Sequence, residues 1–162
     1  MNDSPRPLAV IDLDGVVADV RHRLAHLQSR PKDWDAFFAG IPDDPPLPEG
    51  VAVVERLAGD HELVYLTGRP ERTRQDTLEW LERHGLPPGR VIMRAEGDRR
   101  PARQVKPSLL RRLSPGRRIA VVVDDDAQVC DALERDGWPV LRADWMESAP
   151  DLRAAQEREG RT

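Results

Sequence analysis

Four short apolar runs punctuate the chain: "LAVID" (8–12), "ELVYLT" (62–67), "RVIM" (90–93) and "RIAVVVD" (118–124), with a weaker fifth, "WPVLRA" (138–143). None alternates apolar with polar residues cleanly. Uninterrupted runs of this length fit strands covered on both faces, as in a parallel sheet. Between them the apolar spacing turns helical. "EGVAVVERLAG" (49–59) stops at Gly59, and "ERTRQDTLEWLERHG" places Leu78 and Leu81 on one face before Gly85. "KPSLLRRLSPG" predicts a short helix beginning at Lys106, and "DAQVCDALERDG" turns Val129, Ala132 and Leu133 inward before Gly137. Strands alternating with helices across short connections imply an α/β, Rossmann-like fold of three layers with a mainly parallel central sheet.

Two stretches depart from this alternation. In segment 17–48, "RPKDWDAFFAG" predicts a short helix burying Trp34, Phe37 and Phe38, and the proline-rich "IPDDPPLPEG" leads back to the sheet. This insertion reads as a minimal cap over the loop that precedes it. Residues 147–162 are charged and lack a strong apolar face, so a loose helix or a frayed tail is expected after a single domain spanning 1–146.

Composition narrows the class. A length of 162 residues fits one domain with a real core. The net charge of −4 argues against general nucleic-acid binding but leaves room for a local basic patch. The single cysteine, Cys130, excludes an intrachain disulfide. The start, "MNDSPRPLAV", has no signal pattern and no run is long enough to span a membrane, so a soluble cytoplasmic protein is expected.

The strand ends carry the chemistry. In open α/β sheets, sites form beyond the C-terminal ends of the strands. Here those ends carry Asp12-Leu13-Asp14-Gly15, Thr67-Gly68-Arg69 and Asp124-Asp125-Asp126, with Lys106 beside the last. Each piece alone has an ordinary explanation: a turn, a helix cap, a solvated lysine, acids at a helix N-terminus. Together and in order they gather several like charges that would repel one another unless a cation compensates. Mg²⁺ takes oxygen ligands and combines carboxylates with a substrate phosphate. Lys106, the Thr67 hydroxyl and N–H groups of the Gly15 turn would complete a phosphoryl-binding set.

"DLDGVVAD", "VYLTGRP", Lys106 and "VVVDDDAQV" resemble the four ordered motifs of the haloacid dehalogenase (HAD) superfamily of phosphatases, over roughly residues 8–145. Val16 departs from that pattern, which more often has Thr. The resemblance implies Asp12 as a nucleophile forming an aspartyl-phosphate and Asp14 as general acid, then base. Thr67 would bond a phosphoryl oxygen, and Lys106 would hold the nucleophile and the developing charge. It also implies Mg²⁺ on Asp12, the Asp14 carbonyl and Asp124, with Asp125 as a further or outer ligand. Which of Asp124, Asp125 and Asp126 touches the metal stays open at this level; Asp19 is expected to cap the insertion's first turn.

The minimal cap suggests an open site suited to a phosphate on a bulky substrate. The loop before Lys106 carries Arg94, Arg99, Arg100 and Arg103, which with Gly15, Gly68 and Arg69 are the candidate substrate-binding residues. "LTGRP…TLEWL…MR…GDRRP…VK…DDDAQV" further resembles the phosphatase domain of polynucleotide kinase-phosphatases, which implies a 3′-phosphate at a nucleic-acid end as substrate. No GxxxxGK[ST] kinase motif is present. The alternatives are a phosphatase of nucleotides or other small esters, and a binding module that kept the fold without catalysis.

Overall fold

The computed structural model describes residues 4–162. Five strands form one sheet in the order β3-β2-β1-β4-β5, and every neighbouring pair is parallel. They are β1 (Leu8–Ile11), β2 (Glu62–Pro70), β3 (Arg90–Arg94), β4 (Ile119–Asp124) and β5 (Val140–Arg142). The helices are α1 (Ala25–Gln28), α2 (Trp34–Ala39), α3 (Pro48–Ala58), α4 (Arg74–Arg83), α5 (Ala102–Leu113), α6 (Ala127–Arg135) and α7 (Pro150–Arg153).

The period of two along β1 explains the layers. Ala9 and Ile11 face one side, where they pack with Val54 of α3 and with Trp80 and Leu81 of α4. Leu8 and Val10 face the other, with Leu110 of α5 and with Val129 and Leu133 of α6. β1, central in the sheet, is buried throughout, so its C-terminal end lies in the middle of the layered core. No helix among the described residues is long and apolar enough to cross a membrane.

Two expectations need correction. Lys106 does not begin a helix: α5 starts four residues earlier, at Ala102, with Pro101 as its N-cap, and Lys106 lies in the second turn. Pro107 lies inside α5 and costs it one backbone hydrogen bond. Of the two expectations for the C-terminal segment, helix holds and fraying does not: α7 continues as a helical turn over Ala154–Arg158, and an apolar face packs inward. Met146, Ala149, Leu152 and Ala155 are buried in one cluster with Val20, Leu27, Phe37, Phe38 and Ile41 of the insertion. The insertion therefore has a small core of its own, completed by the C-terminal segment.

The insertion is fastened tightly beside β1. Asp33 caps α2 by accepting from Ala36 N at 2.9 Å, and Asp19 accepts from Arg21 N at 3.0 Å where the turn Arg21–Arg23 begins. Gly50 of α3 packs against the Val16 carbonyl so closely that a Cβ there would lie 1.7 Å from the oxygen. Gly50→Ala is expected to destabilise the protein by about 1–3 kcal/mol in denaturant titrations, as overpacking does. A loss below a few tenths of that would contradict this packing.

Candidate active site

The sheet brings the ends of β1, β2 and β4 together. Asp12 follows β1 directly, and its N–H donates to the Val123 carbonyl at 3.0 Å, which ties the loop to β4. Lys106 Nζ stands between two carboxylates, 3.1 Å from Asp12 Oδ1 and 2.5 Å from Asp124 Oδ2. Thr67, in β2 where its pairing with β3 becomes irregular, accepts from Arg69 N at 3.2 Å and keeps its own proton to donate. Asp12, Asp14, Thr67, Lys106 and Asp124 are each no more than 4% exposed. The expected open site is thus closed in this structure, by the insertion and the C-terminal segment together.

The acids separate by partner. Asp126 accepts from Gln128 N at 2.9 Å and caps α6, which takes it out of the cluster. Asp12, Asp124 and Asp125 offer carboxylate oxygens within 4.8 Å of one another. Asp12 Oδ2 and Asp125 Oδ1 are buried without a hydrogen-bond partner among the described residues. Burial pushes the Asp12 carboxyl well above the usual range, Lys106 opposes this, and Asp124, Asp125 and Asp14 push it further up. Burial and Asp124 raise Asp125 to about 6 against the pull of Arg153. Orphaned oxygens in an over-acidic cluster fit a hard divalent cation.

The Asp14 side chain does not belong to this trio. Its Oδ1 accepts from Arg69 Nη2 at 2.6 Å and Nε at 2.9 Å, and from Arg23 Nη2 at 3.4 Å. Burial alone would raise the Asp14 carboxyl, but Arg69 and Arg23 outweigh it and hold it below the usual range. Both arginines also grip Asp44, with Arg23 Nε at 2.8 Å and Arg69 Nη2 at 3.1 Å. A buried network, Asp14–Arg69–Asp44–Arg23, thus joins the loop after β1 to the insertion.

Several candidate substrate contacts are occupied by the protein itself. Arg69 is fully buried and serves Asp14 and Asp44. Arg94 is equally buried and donates to the carbonyls of Gly68 (3.1 Å) and Arg100 (2.7 Å), organising the loop. Arg100 pairs with Asp98 at 2.8 Å and Arg103 with Glu157 at 2.7 Å, while Arg99 is exposed. The Gly15 N–H is also spent, on the Ala18 carbonyl at 2.9 Å. What Gly15 supplies is a positive φ of 82° and room: a Cβ there would lie 2.0 Å from Asp125 Oδ2. At Val16 the backbone carbonyl is what matters, and it accepts from Trp145 Nε1 at 2.8 Å.

Sequence reasoning missed Arg23, Asp44, Arg153 and Thr162. Arg153 Nη2 donates to Asp125 Oδ2 at 2.8 Å and to the Asp125 carbonyl at 3.1 Å, and Thr162 Oγ1 lies 3.4 Å from Asp14 Oδ2. Nothing local marks these residues, because each reaches the site from a distant part of the chain. The tail did carry one signal: Met146, Ala149, Leu152 and Ala155 recur every three residues.

A parallel α/β sheet with these acids at its strand ends defines a HAD-type phosphatase, and the solved structures agree on the fold. A haloacid dehalogenase-like hydrolase from Streptococcus pneumoniae superposes with a TM-score of 0.61 at 16% identity, covering 95% of this chain and 92% of that one. A structure titled as a Pnkp1/Rnl/Hen1 RNA repair complex contains a chain that superposes with a TM-score of 0.73 at 18% identity over 91% of this chain. A second structure of the Pnkp1/Rnl/Hen1 complex gives 0.72 at 20% over 87%. This chain spans only 45% and 47% of those two. No curated protein matches. The sequence belongs to the family described as "Polynucleotide kinase PNKP phosphatase domain", which matches residues 7–145.

If the orphaned acids hold Mg²⁺, its addition at about 100 times its dissociation constant should stabilise the fold by about 2.7 kcal/mol. That corresponds to roughly 5–10 °C in Tm, read by differential scanning fluorimetry. Asp125→Asn should shrink the shift to a fraction of this. An equal shift in that variant would place the ion elsewhere.

Proposed function

We propose that the protein is a Mg²⁺-dependent phosphomonoesterase that removes the 3′-phosphate from nucleic-acid ends through an aspartyl-phosphate on Asp12. One observation carries the reaction class. Asp12 has one oxygen on Lys106 and the other buried, unpartnered and close to Asp124 and Asp125. Asp126, the cap of α6, also has a buried oxygen without a partner, but only Asp12 gathers with Asp124 and Asp125 beside Lys106. The family's own description supports a polynucleotide as the carrier of the phosphate.

In the first step an Asp12 oxygen attacks phosphorus, and the bond from phosphorus to the leaving oxygen breaks. Lys106 holds Asp12 in place and keeps positive charge beside the phosphoryl group; the Thr67 hydroxyl is available to a phosphoryl oxygen. A bound Mg²⁺ would add positive charge against those oxygens and offset the gathered acids. In the second step water attacks phosphorus, its proton passes to Asp14, and the bond from phosphorus to Asp12 breaks. Arg69 and Arg23 keep Asp14 ionised, which suits that acceptor role. In the first step the leaving oxygen takes the proton that Asp14 received from the attacking water of the previous turnover, a transfer that returns Asp14 to the ionised form the two guanidiniums favour.

The substrate assignment is tested by comparing kcat/KM for a 3′-phosphorylated oligonucleotide with that for 3′-mononucleotides. The oligonucleotide is expected to be preferred by at least about tenfold, as multiple backbone contacts confer. Equal or faster turnover of mononucleotides would overturn the polynucleotide reading and leave a small-molecule phosphatase.

A further inference from the structure

The last residues of the segment that closes the site have no role in the reaction as derived. Upstream it is anchored by Leu152 and Ala155 in the insertion's core and by the Glu157–Arg103 pair. Lys32 of the insertion then meets Glu159. Gly160, at φ 58°, presses its backbone on the loop arginines, so a Cβ there would lie 2.0 Å from the Arg99 carbonyl oxygen. Arg161 lays its guanidinium 4.5 Å above the ring of Trp34. Thr162 lies against Gly68, where a Cβ would come within 2.3 Å of the Thr162 backbone, and its hydroxyl is 3.4 Å from Asp14 Oδ2. Two consecutive residues therefore bridge an aromatic ring and the acid that handles the leaving group's proton.

The ring is well placed to receive something flat. Trp34 opens α2 and is half-buried; it stacks on Phe38 at 6.3 Å between centroids and meets Phe37 edge-on at 6.1 Å, which fixes its orientation. A cavity of about 460 Å³ adjoins it, lined in part by Lys32, Asp35 and Arg161. Burial lowers the Arg161 pKa, Arg99 and Arg72 lower it further, and Glu159 and Asp35 oppose this, so charges of both signs surround the guanidinium.

We propose that Arg161 and Thr162 occupy the seat of the substrate's terminal nucleotide: Trp34 is the platform for its base, and Thr162 stands where its sugar oxygen meets Asp14. This rests on the reading of the site as a 3′-phosphatase. The substrate would displace residues 161–162, the base stacking where the guanidinium lay. Arg72 and Arg99 would then face the nucleic-acid backbone.

The test compares a single-stranded 3′-phosphorylated oligonucleotide with the same strand carrying an abasic 3′-terminal residue. The preference for the base-bearing end, as a ratio of kcat/KM, should fall about tenfold in Trp34→Leu and be largely kept in Trp34→Phe. Arg161→Ala should act in the opposite sense, lowering KM for the base-bearing end about threefold with kcat retained, because the ring is then uncovered. Equal losses on both substrates in a folded Trp34→Leu would overturn the platform and leave the 3′-phosphatase reading standing. If Trp34→Leu does not fold, Arg161→Ala decides, and an unchanged or raised KM overturns the proposal. If the wild type hydrolyses simple phosphate esters but neither oligonucleotide, the 3′-phosphatase reading fails and the platform falls with it.

Discussion

Asp12→Asn is expected to lower phosphate release by on the order of 10⁴-fold or more on any substrate, because the variant keeps the shape of the site and loses the attacking oxygen. The amide changes little else. Lys106 still has Asp124 at 2.5 Å, so the site need not collapse. Two measurements separate lost chemistry from lost structure: steady-state turnover with Mg²⁺, and the thermal midpoint. Turnover should vanish while the midpoint stays within a few degrees. Residual activity above about 1% of wild type would mean that water, not Asp12, attacks the phosphorus, and the covalent route would be abandoned.

Arg69→Met is expected to have the largest effect on stability. The side chain is fully buried and neutralises Asp14 and Asp44 at once. Removing it leaves two buried carboxylates with only Arg23 and the partly exposed His22 against them. Breaking a buried ion pair from one side costs about 3–5 kcal/mol, which for a chain of this size is roughly 10 °C in Tm. Urea titration with a two-state fit reads the loss directly. Adding Asp44→Asn should recover part of it, since one of the two orphaned charges is then gone. A loss below about 1 kcal/mol in the single variant would show that the network is solvated and not a buried clamp.

The fold and the residues gathered at the strand ends were legible in the sequence, and the way they are held was not. The strands announce themselves as apolar runs, and the acids stand directly at their ends, so Asp12, Thr67 and Asp124 could be placed by chain order alone. Asp14 could be placed too, but its partners could not. Arg23 and Asp44 lie in the insertion, nine and thirty residues away, and only the folded loop "IPDDPPLPEG" carries Asp44 back to the site. The arginines before Lys106 drew attention because arginine binds phosphate; burial redirects Arg94 to backbone carbonyls and Glu157 claims Arg103. In the tail, two of the four apolar anchors are alanines, which weigh little in any hydrophobic pattern, yet they close the site.

The central claim is that a phosphoryl group passes through the Asp12 carboxylate. The most direct measurement is peptide mapping by mass spectrometry of wild-type enzyme, acid-quenched within the first turnover of a 3′-phosphorylated oligonucleotide with Mg²⁺. The mechanism predicts one phosphoryl group on the peptide holding Asp12 and none in Asp12→Asn. Full phosphate release with no phosphorylated peptide at any quench time, or a phosphoryl group on another residue, would contradict it.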